Sequence, residues 1–216
     1  MIPHDHVVTI PRGVDPDRLR AGLGREAVRS ELGIPAAAPV SISVGALSPE
    51  KDPLAQIDLC ERILPSVLSL VHLFVGDGPM RQELEGSIGA RGLGEHVRLL
   101  GTRADIGDLL GASDVLVLSS LTEGMPGCLI EAGMAGLPAV AFDVAGVPEV
   151  LVDGVTGYVV EPGDHPALAD RVLELLKDPA SREAMGAAAR ERCRSAFDIG
   201  SVARRYAEVY SEVARA

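Results

Sequence analysis

Six short apolar runs recur along the chain, at Val40–Val44, Leu70–Val75, Val97–Leu100, Val115–Leu118, Ala139–Phe142 and Tyr158–Val160. They are short and mostly continuous, which is how strands buried on both faces read. Amphipathic stretches separate them, at about 54–69, 79–92, 105–112, 127–136 and 147–152. Strand–helix–strand repetition of this kind places the chain in the α/β class, with a doubly wound, parallel six-stranded sheet and right-handed crossovers. From about residue 165 the pattern is helical, with helices expected at about 165–177, 180–195 and 200–214, divided at Asp178-Pro179 and Asp198–Gly200. A chain of 216 residues fits one large domain. Residues 1–17 read as a lead-in, with a β-like run at Val7-Val-Thr-Ile10 and a turn at Pro11–Pro16, and 18–216 as the domain itself. A fold that begins this abruptly suggests one lobe of a two-lobed enzyme.

Composition removes several function classes. The net charge of −11 argues against binding a phosphate backbone, and 3% aromatic residues with no Trp supply no stacking platform for single-stranded nucleic acid. No run of about 18 apolar residues is present. Cys60, Cys128 and Cys193 are scattered and have no zinc spacing, which suits a reducing, cytoplasmic setting.

The chemistry concentrates in Glu123-Gly-Met-Pro-Gly-Cys-Leu-Ile-Glu131, directly after the run Asp114–Ser120. Open α/β sheets bind ligands at the carboxyl ends of their strands. Pro126 suits a first helical position, where its missing N–H costs nothing. Gly127 allows close approach of a ligand, and the free amides of a helix start attract phosphate. Glu123 then precedes the helix and Glu131 lies about one and a half turns into it, two acceptors for hydroxyls. A helix start also favours ionised carboxylates. The whole reads as a sugar-nucleotide site.

Weaker motifs are read structurally. Gly76-Asp-Gly78 lacks the third glycine of a dinucleotide fingerprint, with Arg81 at that position, and is a strand–helix turn lining the cleft. Asp15-Pro-Asp17 sits in a Pro/Gly turn, where Asp is favoured for backbone reasons, so no metal site is expected. His72 is read as a satisfied core residue and His96 and His165 as element edges, while His4 and His6 share one face of an extended terminus. Cys128 is either a thiol activated by a helix start or, the better reading, a small buried side chain. Six arginines between Arg182 and Arg205 read as a solvated helix face, with peripheral contact to an anionic membrane surface as the other possibility.

Several segments occur in a fixed order: Ile10-Pro-Arg-Gly-Val-Asp15, Val44-Gly-Ala-Leu-Ser-Pro-Glu-Lys51, Val75-Gly-Asp-Gly-Pro79, Glu123–Glu131, Gly146-Val-Pro-Glu149 and Asp153–Asp164. Together they resemble the C-terminal, donor-binding domain of a GT-B glycosyltransferase of family 4 (glycosyltransferase group 1), over nearly the whole chain. The resemblance implies a Rossmann-like lobe and a retaining transfer of sugar from a nucleoside diphosphate donor. Glu123 would contact hydroxyls of the transferred sugar and support its developing positive charge, and Glu131 would accept from the ribose. Lys51 would neutralise the diphosphate, so that no metal is needed. The family also has an Arg five residues before that Lys, where this chain has Ala46. Arg103, Arg12 or a residue of another lobe would compensate, or donor affinity or turnover is lower. Arg103 would lie beside the nucleotide base or be a surface arginine. Gly45, Gly76, Met125, Pro126, Gly127, Cys128 and Leu129 would line the donor, a UDP-, GDP- or ADP-sugar.

The expected function is therefore the donor-binding half of a retaining glycosyltransferase, transferring little sugar without an N-terminal acceptor lobe. A nucleotide-sugar-binding or regulatory module acting with a separate subunit is the alternative. A sugar-nucleotide epimerase lobe is another. A pyridoxal-dependent phosphorylase would need a supported lysine, and Lys51 and Lys177, the only lysines, have no such context.

Overall fold

A computed structural model describes residues 7–20 and 22–215; His4 and His6 lie outside them. The strands are β1 (Val40–Val44), β2 (Val71–Val75), β3 (Val97–Leu99), β4 (Val115–Leu118), β5 (Ala139–Phe142) and β6 (Gly157–Val160). They form one parallel sheet in the order β3-β2-β1-β4-β5-β6. The helices are α1 (Arg25–Glu31), α2 (Pro53–Ile63), α3 (Arg81–Ala90), α4 (Ile106–Ala112), α5 (Gly127–Ala135), α6 (Val147–Val150), α7 (His165–Lys177), α8 (Pro179–Phe197) and α9 (Ile199–Val213). Every residue of β2, β4 and β5 is buried, as continuous apolar strands require. The chain winds outward from β1 through β2 to β3, then returns to the other side of β1 at β4. The β1–β4 junction, with Ile42 opposite Leu116, is therefore the topological switch point.

Three expectations are corrected. Val7–Ile10 joins no strand, and Val7 and Val8 are 58% and 55% exposed; β-propensity makes no ladder without a neighbour to pair with. The chain enters the fold at Val14, whose N–H donates to Phe197 O (2.8 Å) and whose carbonyl accepts from Ile199 N–H (3.0 Å), binding it to the α8–α9 junction. Pro126 is not the first helical residue but the cap before it, with an extended ψ of 109°. The arginine-rich helix α8 is mostly not a free charged face. Arg182 donates to the carbonyls of Leu175 and Leu176, Arg190 to that of Ala135, and Arg192 to those of Glu149 and Val150. One helix thus satisfies the open carbonyl ends of α7, α5 and α6.

The amino-terminal side of the sheet is held by Asp114. It accepts from Arg25 (2.6 Å), from the buried Arg29 (3.0 Å) and from Val40 N–H (2.8 Å), tying α1 to β1 and β4. Among the described residues no helix is long and apolar enough to cross a membrane.

Candidate functional site at the β1–β4 crevice

Two loops leave the carboxyl ends of the central strands, 45–52 after β1 and 119–126 after β4, and they are stapled together. Leu121 N–H donates to Glu50 O (2.9 Å), and the Ser119 hydroxyl is shared between the carbonyls of Lys51 (2.9 Å) and Asp52 (2.8 Å). Lys51 and Glu123 meet across the crevice, Nζ to Oε1 at 2.6 Å, and the Ser120 hydroxyl donates to the same oxygen at 2.7 Å. The Glu123 side chain is 9% exposed and that of Lys51 29%. The carboxylate is fixed, while the ammonium keeps one side toward solvent.

A chain of buried polar groups supports Lys51 from below. The Gln56 amide donates to Ser119 Oγ (2.8 Å), which turns Gln56 Oε1 toward His72 Nε2 at 2.9 Å. His72 must then carry its proton on Nε2 and accept at Nδ1 from the Ser41 hydroxyl, 2.8 Å away. Burial pushes the His72 pKa down to about 3, so the ring is neutral, a satisfied core histidine as the sequence reads. The polar chain runs in one direction, from β1 through β2, α2 and the loop after β4 to the backbone of Lys51. Sequence reading did not connect these residues. The available signal was a polar side chain inside apolar patterns at Ser41, His72 and Gln56.

The floor beside Lys51 is made by interlocked turns. Gly45 N–H donates to Val75 O (2.9 Å), and Gly76 N–H to Gly101 O (2.8 Å). Gly76 has φ +135°, and a Cβ there would overlap the Gly45 carbonyl, so only glycine fits. Gly45, Ala46, Lys51 and Gln56 line a crevice of ≈ 20 Å³, room for about one water.

Helix α5 begins at Gly127 with no side-chain cap, leaving its first amides open. Glu131, one turn on, is half-buried. Burial raises its pKa, opposed by the charges of Arg12 and then Arg18, so the helix start does not lower it as the sequence suggested. Cys128 lies between the charged groups. Its thiol is pushed up to about 12 by burial and by Glu123 and Glu131, with Lys51 pulling the other way, so this half-buried side chain is not an activated thiol. Leu129 is buried, and the Met125 thioether accepts from Arg12 N–H at 3.3 Å.

Arg103 sits beyond β3, where Asp105 grips its guanidinium at 2.8 and 2.5 Å and Glu31 approaches at 3.3 Å. The hydrogen bonds to Asp105 and then to Glu31 raise its pKa. Asp15 accepts from Asp17 N–H (2.9 Å) and Asp17 pairs with Arg20 (2.9 Å), turn roles as the sequence reads.

A parallel α/β lobe of the GT-B type, with a charged crevice at its switch point, is the class these features define. The chain belongs to the glycosyltransferase group 1 family: the model described as glycosyl transferases group 1 matches residues 24–192. It is 32% identical to alpha-D-kanosaminyltransferase of Streptomyces kanamyceticus over 177 residues, 81% of this chain and 46% of that protein. It is 34% identical to D-inositol 3-phosphate glycosyltransferase of Streptomyces scabiei over 219 residues, 96% of this chain and 49% of that protein. Anabaena HepE, crystallised in complex with UDP, matches with a TM-score of 0.90 at 26% identity, covering 97% of this chain and 58% of that one. The chain spans about half the length of the curated relatives it matches.

Proposed function

We propose that this chain is the donor-binding half of a retaining glycosyltransferase, taking a nucleoside diphosphate-sugar. The observation that carries the reading is the Lys51–Glu123 contact at the switch point, 2.6 Å across the crevice, beside the uncapped start of α5. The α5 amides and Lys51 receive the diphosphate. Glu123 faces hydroxyls of the sugar, and Glu131 accepts from the ribose.

As the anomeric C–O bond breaks, its electron pair leaves with the diphosphate, and fixed donors already in place stabilise that charge without a metal. Glu123 supports the positive charge left on the sugar. For retention, the acceptor hydroxyl must enter on the face the diphosphate leaves, so its proton can pass to the departing phosphate oxygen. The acceptor, and the lobe that binds it N-terminal to the segment of residues 1–17, complete the site. The full enzyme works in the cytoplasm.

HepE, with structures in complex with UDP and with UDP-glucose, favours a uridine donor. Isothermal titration of the chain with UDP, GDP and ADP tests the proposal. Binding of one of them with little sugar transfer is the expected result. No binding at millimolar nucleotide would refute it.

A further inference from the structure

The donor site is short of positive charge. The Lys51 ammonium is shared with Glu123 at 2.6 Å, so that pair contributes little net charge to an incoming diphosphate. Arg103 is taken by Asp105 and Glu31. Ala46, exposed at the mouth of the crevice, offers only a methyl group.

One arginine lies at the start of α5 instead. The Arg12 guanidinium packs on Gly127 so closely that a Cβ there would sit 2.9 Å from its Cζ and 3.1 Å from each terminal nitrogen. Its position is set by the fold on both sides. Arg12 N–H is bound to Met125 Sδ, and two residues later Val14 is locked to Phe197 and Ile199.

A cation at the first turn of a helix lies at the end that repels it. Glu131 partly offsets this, since Arg12 is the leading charge opposing the rise of its pKa. A phosphate between the guanidinium and the open α5 amides would satisfy both positive groups at once, through charge-assisted hydrogen bonds to the planar guanidinium.

Resting on the donor-site reading above, we propose that Arg12 supplies the second fixed cation for the donor diphosphate, in place of the one missing at Ala46. It makes the site select diphosphates over monophosphates. Its origin is a segment 115 positions upstream of Gly127, not the loop that carries Lys51.

The test is titration of the unsubstituted chain, Arg12→Ala, and Arg12→Ala combined with Ala46→Arg, each with UDP, UMP and uridine. Arg12 is exposed, so its truncation should leave the fold intact, which thermal melting checks. Arg12→Ala should weaken UDP about ten- to a hundred-fold, as expected for a charge-assisted hydrogen bond, with uridine unchanged. Ala46→Arg should restore much of the UDP preference in the doubly substituted chain. An unchanged UDP-to-UMP preference in Arg12→Ala would overturn the proposal, as would equal losses for UDP and uridine. No binding of UDP or uridine by the unsubstituted chain would remove the donor-site reading itself, a result distinct from either.

Discussion

The Lys51–Glu123 pair predicts opposite outcomes for two substitutions that both break it. Lys51→Ala strands a carboxylate that is 9% exposed, leaving its bonded oxygen only the Ser120 hydroxyl at 2.7 Å. Glu123→Gln leaves an ammonium that is 29% exposed and can turn to water. Breaking a fully buried pair from one side costs about 3–5 kcal/mol, whereas exposed pairs contribute about 0–1 kcal/mol. Lys51→Ala should therefore cost about 2 kcal/mol and Glu123→Gln less than about 1 kcal/mol. Binding should order them differently. Lys51→Ala removes a cation from the diphosphate and should weaken UDP about ten- to a hundred-fold. Glu123→Gln releases the lysine from its competitor and should tighten UDP, by up to about tenfold. Urea midpoints at constant slope give the first comparison, and isothermal titration the second. Equal losses of stability, or a UDP affinity that falls in Glu123→Gln as it does in Lys51→Ala, would refute the assignment of Lys51 as the shared cation.

Gln56→Leu strands His72 Nε2–H and removes the donor to Ser119, at about 1–3 kcal/mol for each buried group left without a partner. Adding His72→Leu should recover part of that loss, giving a coupling of about 1–2 kcal/mol in a double-mutant cycle of urea midpoints, and simple additivity would show that the groups do not act as a chain. Glu131 titrates in the unusual direction, because burial raises it above its ordinary 4.5 despite Arg12 and Arg18. A carboxyl that binds its proton more tightly when folded stabilises fully below the unfolded value, and that stability is lost as pH rises through the folded value. Thermal melts across about pH 4 to 7 should show the unsubstituted chain losing stability relative to Glu131→Gln as pH rises. A difference that stays flat or grows the other way would refute the burial argument.

Strands β4 and β5 were legible because a strand buried on both faces reads as a continuous apolar run, and both fall on the expected residues, as does β1 despite Ser41 and Ser43. Helix α1 was not, since only Val28 and Arg29 of its seven residues are buried, too few for a periodic signal. Val7–Ile10 has strand-like residues and no partner. At the site, both acids could be named from local context and Lys51 from the family resemblance, but their company could not. Lys51 and Glu123 are 72 positions apart and meet only because the winding reverses at β1. The direction of the Glu131 shift was misread because helix-terminus electrostatics is a local argument, whereas burial is set by tertiary packing.

The two ends of the sheet differ in how completely their charges are satisfied. At the amino end, Asp114 meets three arginines, Arg25, Arg29 and Arg182, and a backbone amide, and the arginines of α8 are mostly bound to helix carbonyls. The carboxyl end has an uncapped helix, a half-buried carboxyl with a raised pKa, a guanidinium at the repelling end of a dipole, and a lysine with one partner and open solvent. Such groups cost stability where they stand. Folding alone would favour replacing them, as it favours the closed network around Asp114. Their concentration at one end of the sheet, on a chain with net charge −11, is what a bound anion would explain, since phosphate and hydroxyl groups would complete each of them at once.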